Sequence, residues 1–119
     1  MHYMLLIYGD ESRFASLTRE EGQATMAAWF AYTDALKSAG VHLAGDPLES
    51  VTKATSVRTR NGKTDVVDGP FAETKEQLAG YYLLDVPDAD AAIAWAARCP
   101  GAAYGTIEVR PLMALPAQV

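Results

Sequence analysis

Met4-Leu5-Leu6-Ile7-Tyr8 is an unbroken apolar run of strand length. Successive side chains of a strand point to opposite faces. Tyr3, Leu5 and Ile7 therefore share one face, and Met4, Leu6 and Tyr8 the other. Neither face carries a charge, so both need cover. One layer of helices supplies half of it, and the rest asks for a second layer.

Downstream, Gly9-Asp10-Glu11-Ser12 breaks the strand. Thr18 and Glu21 have the spacing of a capping box, which starts a helix by satisfying two orphan backbone donors. Met26, Trp29, Phe30, Thr33 and Leu36 recur at helical spacing, and Gly40 offers the left-handed stop. A second strand is expected from Val41 to Ala44, closed by Gly45-Asp46-Pro47.

Asn61-Gly62 lies between Thr52–Arg60 and Lys63–Asp68. Both turn residues accept positive φ, so the pair predicts a tight hairpin with Arg58 opposite Asp65 and Val57 opposite Val66. Its outer part is polar and should project into solvent. After Asp68-Gly69-Pro70-Phe71, residues Ala72 to Leu78 are expected to make one helical turn. Tyr81 to Val86 reads as a strand apolar on both faces. Asp88 is the expected N-cap of a second helix anchored by Ile93 and Trp95 and ended by Pro100-Gly101. Thr106 to Met113 closes the chain as an edge strand, because Pro111 cannot donate to a ladder.

The order is β-α-β, a hairpin, then β-α-β. This predicts an α+β fold of ferredoxin-like split βαβ type with an inserted β-hairpin. Two helices cover one face of such a sheet. A twofold partner is the simplest cover for the other, so a homodimer packed sheet to sheet is expected.

The 119 residues fit one domain, 1–119. Ten Lys+Arg against fifteen Asp+Glu give a net charge of -5, which disfavours nucleic acid as a partner. No apolar run approaches membrane-spanning length, and the first residues read as a strand and not as a secretion signal. Cys99 is the one cysteine, which excludes an internal disulfide and suits a reducing cytoplasm. No Cys/His cluster has metal-ligand spacing, and no phosphate loop or dinucleotide fingerprint is present, so no metal or cofactor is expected.

The chain resembles the YCII-related family, in its DGPF-type members. The resemblance rests on Tyr3-Met4-Leu5-Leu6-Ile7-Tyr8-Gly9, Ala44-Gly45, the run from Asp68-Gly69-Pro70-Phe71 to Gln77, Trp95 to Pro100, and Ile107 to Pro111. It implies a ferredoxin-like dimeric α+β barrel and a small-molecule cleft between sheet and helices. It also implies a regulatory link to sigma factors of the extracytoplasmic-function type. The wider family implies a His–Asp pair, with a histidine on the first helix and an aspartate before the proline that follows the second. This chain departs at both places, with no histidine near Met26 to Ala28 and Cys99 before Pro100.

Asp68 is the candidate general base. A carboxylate held at a strand end by Gly69 and Pro70 suits proton transfer, although Asp-Gly-Pro is equally a good turn former. Phe71, Glu73, Tyr81 and Arg58 are candidate ligand-binding residues, with Phe71 expected to anchor its loop in apolar surroundings. Two functional readings remain open. One is a small-molecule-binding dimer with acid–base activity. The other is a non-enzymatic interaction module in a sigma-factor-linked circuit.

Overall fold

The computed structural model describes residues 1–117. In chain order the elements are β1 (His2–Gly9), α1 (Glu11–Ala15), α2 (Arg19–Ser38), β2 (His42–Pro47), β3 (Thr55–Arg60), β4 (Lys63–Asp68), β5 (Gln77–Asp85), α3 (Ala89–Arg98) and β6 (Thr106–Pro111). Short 3-10 turns follow β2 and α3, at Val51–Lys53 and Pro100–Ala103.

β1, β2, β5 and β6 form one sheet in the order β2-β5-β1-β6, all neighbours antiparallel. β1 is central, as a strand apolar on both faces requires. Tyr3, Leu5 and Ile7 point to the helical side, where Leu5, Leu36 and Leu84 are fully buried with Tyr32, Tyr82 and Val86. α3 meets this core through Ala92 and Ala96, whose small side chains let the helix lie close to the sheet. Ile93, expected as an anchor, faces outward instead. Met4, Leu6, Tyr8, Tyr81 and Leu83 occupy the opposite side of the sheet, half-buried and without a helix over them.

The helix signals act as written. Thr18 Oγ1 accepts from the Glu21 amide (3.1 Å), and the Thr18 amide donates to Glu21 Oε1 (2.9 Å). Asp88 caps α3 by accepting from the Ala91 amide (2.9 Å). Gly40 takes φ 72° after α2.

Three local expectations are corrected. The Gly9–Ser12 break leads directly into α1, whose N-cap Asp10 accepts from the Ser12 amide (2.9 Å). The second strand runs on to Pro47, because Gly45, Asp46 and Pro47 keep pairing with Tyr82, Tyr81 and Gly80. Residues 72–78 form no helical turn. Thr74 Oγ1 donates to the Glu76 carbonyl (2.6 Å), and β5 has begun by Gln77.

β3 and β4 pair only with each other, as a two-stranded ribbon. Asn61 (φ 52°) and Gly62 (φ 73°) make its turn. The register places Arg58 opposite Asp65 and Val57 opposite Val66. At the base, Gly69 takes φ 99°, its amide donates to the Ala54 carbonyl (2.7 Å), and its carbonyl accepts from Ser56 Oγ (2.7 Å).

Candidate functional site

One flank of α2 does not touch the core. Tyr32 and Leu36 bury their side chains against the sheet, while Met26 and Phe30, on the neighbouring flank, are 55% and 64% exposed. Both face a cleft of about 650 Å³. That is ordinary for a small-molecule site, and a wall of apolar and aromatic side chains with few polar groups is the usual composition.

Three strand ends make the floor: Ile7–Gly9 of β1, Gly45–Pro47 of β2 and Ala79–Tyr82 of β5. Backbone lies close here for a physical reason. A Cβ on Gly45 would stand 2.5 Å from the Tyr82 ring, and one on Gly80 would stand 2.9 Å from the Asp46 carbonyl oxygen. Only glycine permits both approaches. α2 supplies the roof with Met26, Trp29, Phe30 and Thr33, and Asp34 and Lys37 also line the cleft.

Tyr104, just after the Pro100–Ala103 turn, is a corner post. Its hydroxyl accepts from Trp29 Nε1–H (2.9 Å). The Phe14 ring meets it edge-on at 5.6 Å. The Arg13 guanidinium lies 4.0 Å from its ring centre, within cation–π range. α1 is thereby fastened to α2 and to the α3–β6 connection.

Tyr82 is wedged in the floor, stacked with Trp29 at 6.4 Å and edge-on to Tyr32 at 5.5 Å. Its hydroxyl lies 2.6 Å from Thr33 Oγ1. Thr33 already donates its proton to the Trp29 carbonyl (3.0 Å), so Tyr82 is the donor to Thr33. Burial raises the Tyr82 pKa, which keeps this phenol neutral.

The second phenol is placed differently. Tyr81 Oη donates to Asp46 Oδ2 (3.0 Å) across the β2–β5 pair. That hydrogen bond to the carboxylate raises the Tyr81 pKa. Asp46 and Tyr81 are thus a carboxylate–phenol pair on the uncovered side of the sheet, at strand positions whose neighbours Gly45 and Tyr82 face the cleft.

Of the residues singled out in the sequence, Tyr81 lines this cleft, and Asp68, Phe71, Glu73 and Arg58 do not. Asp68 ends β4 opposite Thr55, exposed on the ribbon. Arg58 is exposed on β3, and Glu73 is exposed in the loop before β5. Phe71 is 84% exposed, so it does not anchor its loop in apolar surroundings. The loop is tied by polar bonds instead. Gln77 Nε2 donates to the Thr74 carbonyl (2.7 Å), and Thr106 Oγ1 donates to Glu76 Oε1 (2.8 Å). Cys99, where the wider family implies an aspartate, is buried in the core, and burial pushes its thiol up to about 11. Among the described residues no group of three or more His, Cys, Asp or Glu converges as a metal site would need.

A family model described as the YCII-related domain matches residues 1–116. The chain belongs to the YCII-related family. The run Asp68-Gly69-Pro70-Phe71 is consistent with its DGPF-type members. An uncharacterised protein from Rhizobium meliloti (strain 1021) is 40% identical over 114 residues, spanning 94% of this chain and 92% of its own. The solved structure of 5-chloro-2-hydroxyhydroquinone dehydrochlorinase from Burkholderia phenoliruptrix AC1100, in complex with 2,5-dihydroxybenzoquinone, superposes with a TM-score of 0.55. It is 13% identical and covers 95% of this chain and 94% of that one, so the YCII-related fold is shared. No helix of the described residues is long and apolar enough to cross a membrane.

Proposed function

We propose that this YCII-related protein is a small-molecule-binding homodimer whose cleft beneath α2 receives a planar, largely apolar ring bearing hydroxyl or oxo groups. The observation that carries the reading is the cleft itself. Exposed Met26 and Phe30 on its roof, with Trp29, Tyr82 and Tyr104 behind them, leave a cavity of about 650 Å³ that the chain does not fill. Aromatic walls favour a flat partner through offset stacking and edge contacts. The structural neighbour is bound to such a ring, a dihydroxybenzoquinone.

The reaction class needing least from these residues is proton transfer. Asp34, which lines the cleft from α2, is the carboxylate placed to take the proton. Asp68, at the end of the ribbon, and Phe71 and Glu73, in the loop after it, stay in the reading as residues that reach a ligand only from a second copy, while Arg58, on the charged face of the ribbon, leaves it. The dimer packs through the uncovered side of the sheet, where Met4, Leu6 and Leu83 are half-buried. The reducing cytoplasm, where a buried thiol such as Cys99 stays free, is the compartment that goes with this reading. The alternative, a sigma-factor-linked interaction module, draws on the exposed ribbon and the net charge of -5.

A thermal-shift panel tests the binding. Hydroxyquinones and phenolic acids are compared with sugars and linear fatty acids. A true ligand at 100 times its Kd stabilises by about 2.7 kcal/mol. Phe30→Ser should lose that shift without lowering the melting point of the free protein. Asp34→Asn should keep the shift and lose any ligand-proton exchange with D2O. The reading fails if no planar ring shifts the transition at millimolar concentration.

A further inference from the structure

The β3–β4 ribbon has two unlike faces. Val57 and Val66, opposite each other, share one face with Thr55, Thr59 and Thr64, and only Asp68 at the base brings a charge to it. The other face carries Arg58, Arg60, Lys63 and Asp65 toward the tip, with Ser56 and Val67 near the base. A ribbon meant to stand in water needs no such division. Val57 and Val66 are each 64% exposed in the single chain. The ribbon belongs to no larger sheet, and an isolated two-stranded hairpin is marginally stable at best.

The surface of the whole chain points to what covers it. A compact monomer of 12.8 kDa exposes about 6,300 Å², whereas this chain exposes 8542 Å². The surplus, about 2,200 Å², is what one protomer contributes to a large obligate dimer. The radius of gyration tells the same story, at 16.7 Å against about 13.5 Å for a compact chain of this length. Val57 and Val66 on the ribbon and Phe71 beyond it are among the exposed large apolar groups of the chain.

We infer that the ribbon is a dimer arm, which lays its Val/Thr face on a second copy of this chain and turns its charged face to solvent. The inference rests on the homodimer of the proposed function and adds a second contact, the ribbon, to the sheet face given there. A second copy fits better than an unrelated partner because twofold exchange of two arms covers both surpluses at once.

The test is the solution mass and dimer dissociation constant, by light scattering and sedimentation, for three forms. Wild type should be a dimer at micromolar concentration. Val57→Lys with Val66→Glu keeps a complementary pair across the strands but charges the neutral face, and should weaken the dimer about 100-fold or more. Arg58→Glu with Asp65→Lys reverses the pair on the other face and should leave the constant within about threefold. Circular dichroism checks that each variant keeps its sheet and helices. A wild-type dimer unaffected by Val57→Lys/Val66→Glu overturns the arm and leaves the homodimer standing. A monomeric wild type overturns both. Equal weakening by both double variants overturns the assignment of faces.

Discussion

Two glycines line the same cleft, and alanine should act on them with opposite signs. At Gly45 the new Cβ would lie 2.5 Å from Tyr82 Cδ1 and 3.0 Å from the Tyr81 carbonyl oxygen. Ordinary contact needs about an ångström more than the first of these. The ring has little room to yield. It is stacked on Trp29, edge-on to Tyr32 and His42, and tied to Thr33 at 2.6 Å. Overpacking of this kind costs about 1–3 kcal/mol, and losing the Thr33 bond adds about 1 kcal/mol. With an unfolding entropy of about 0.25 kcal/mol/K for a chain this long, Gly45→Ala should melt about 8–16 °C below wild type. At Gly22, on α2, a Cβ meets nothing within 4 Å. There alanine only removes the conformational freedom of glycine in a helix and should stabilise by about 0.5–1 kcal/mol. Urea unfolding followed by circular dichroism reads both. The packing described for the cleft floor is refuted if Gly45→Ala unfolds at the wild-type midpoint, or if Gly22→Ala is the more damaging change.

Other outcomes follow from single groups. Cys99 should not react with a thiol reagent at pH 8 until the protein unfolds, because its thiol is buried and pushed up to about 11. A raised folded-state value means that the folded protein holds the proton longer than the unfolded chain does. The stability this confers is complete below about pH 9 and is lost as the pH rises toward 11, by at most about 3 kcal/mol, with Tyr82 acting in the same direction. Urea midpoints that stay flat across that window would contradict it. Asp88→Ala removes the acceptor for the Ala91 amide and should cost about 1 kcal/mol, read as a shift in urea midpoint with an unchanged slope.

The elements were legible where one local rule decides. The capping box at Thr18, the N-cap at Asp88 and the register across Asn61-Gly62 are local chemistry, and each is in place. The two-faced reading of Met4–Tyr8 is likewise met by a central strand. The cleft was not legible, for a definite reason. Helical spacing shows that Met26, Phe30 and Thr33 share a flank with Trp29, but an apolar flank over a cavity has the same spacing as one over a core. The usable signal was excess width: Tyr32 and Leu36 already form a buried stripe beside it. Phe71 misled for the complementary reason. An aromatic after Gly-Pro reads as an anchor, yet nothing in its own chain covers it. Asp46 was read only as part of a strand-closing turn. Its partnership with Tyr81 depends on the pairing of β2 with β5, which the local sequence does not encode. The short α1 was lost because its cap, Asp10, stands in a polar run that also spells a break.

The central claim is that a flat small molecule occupies the cleft beneath α2. The chain has two tryptophans. Trp29 lines the cleft, with its indole N–H held by Tyr104. Trp95 packs elsewhere, between Tyr32 and Arg98. A 15N-labelled sample therefore gives two indole N–H resonances in a two-dimensional NMR spectrum, assigned by Trp95→Phe. The account predicts that titration with a planar hydroxylated ring such as 2,5-dihydroxybenzoquinone moves the Trp29 resonance saturably and leaves that of Trp95 in place. Two resonances unmoved at millimolar ring concentration, or movement of Trp95 alone, would contradict it.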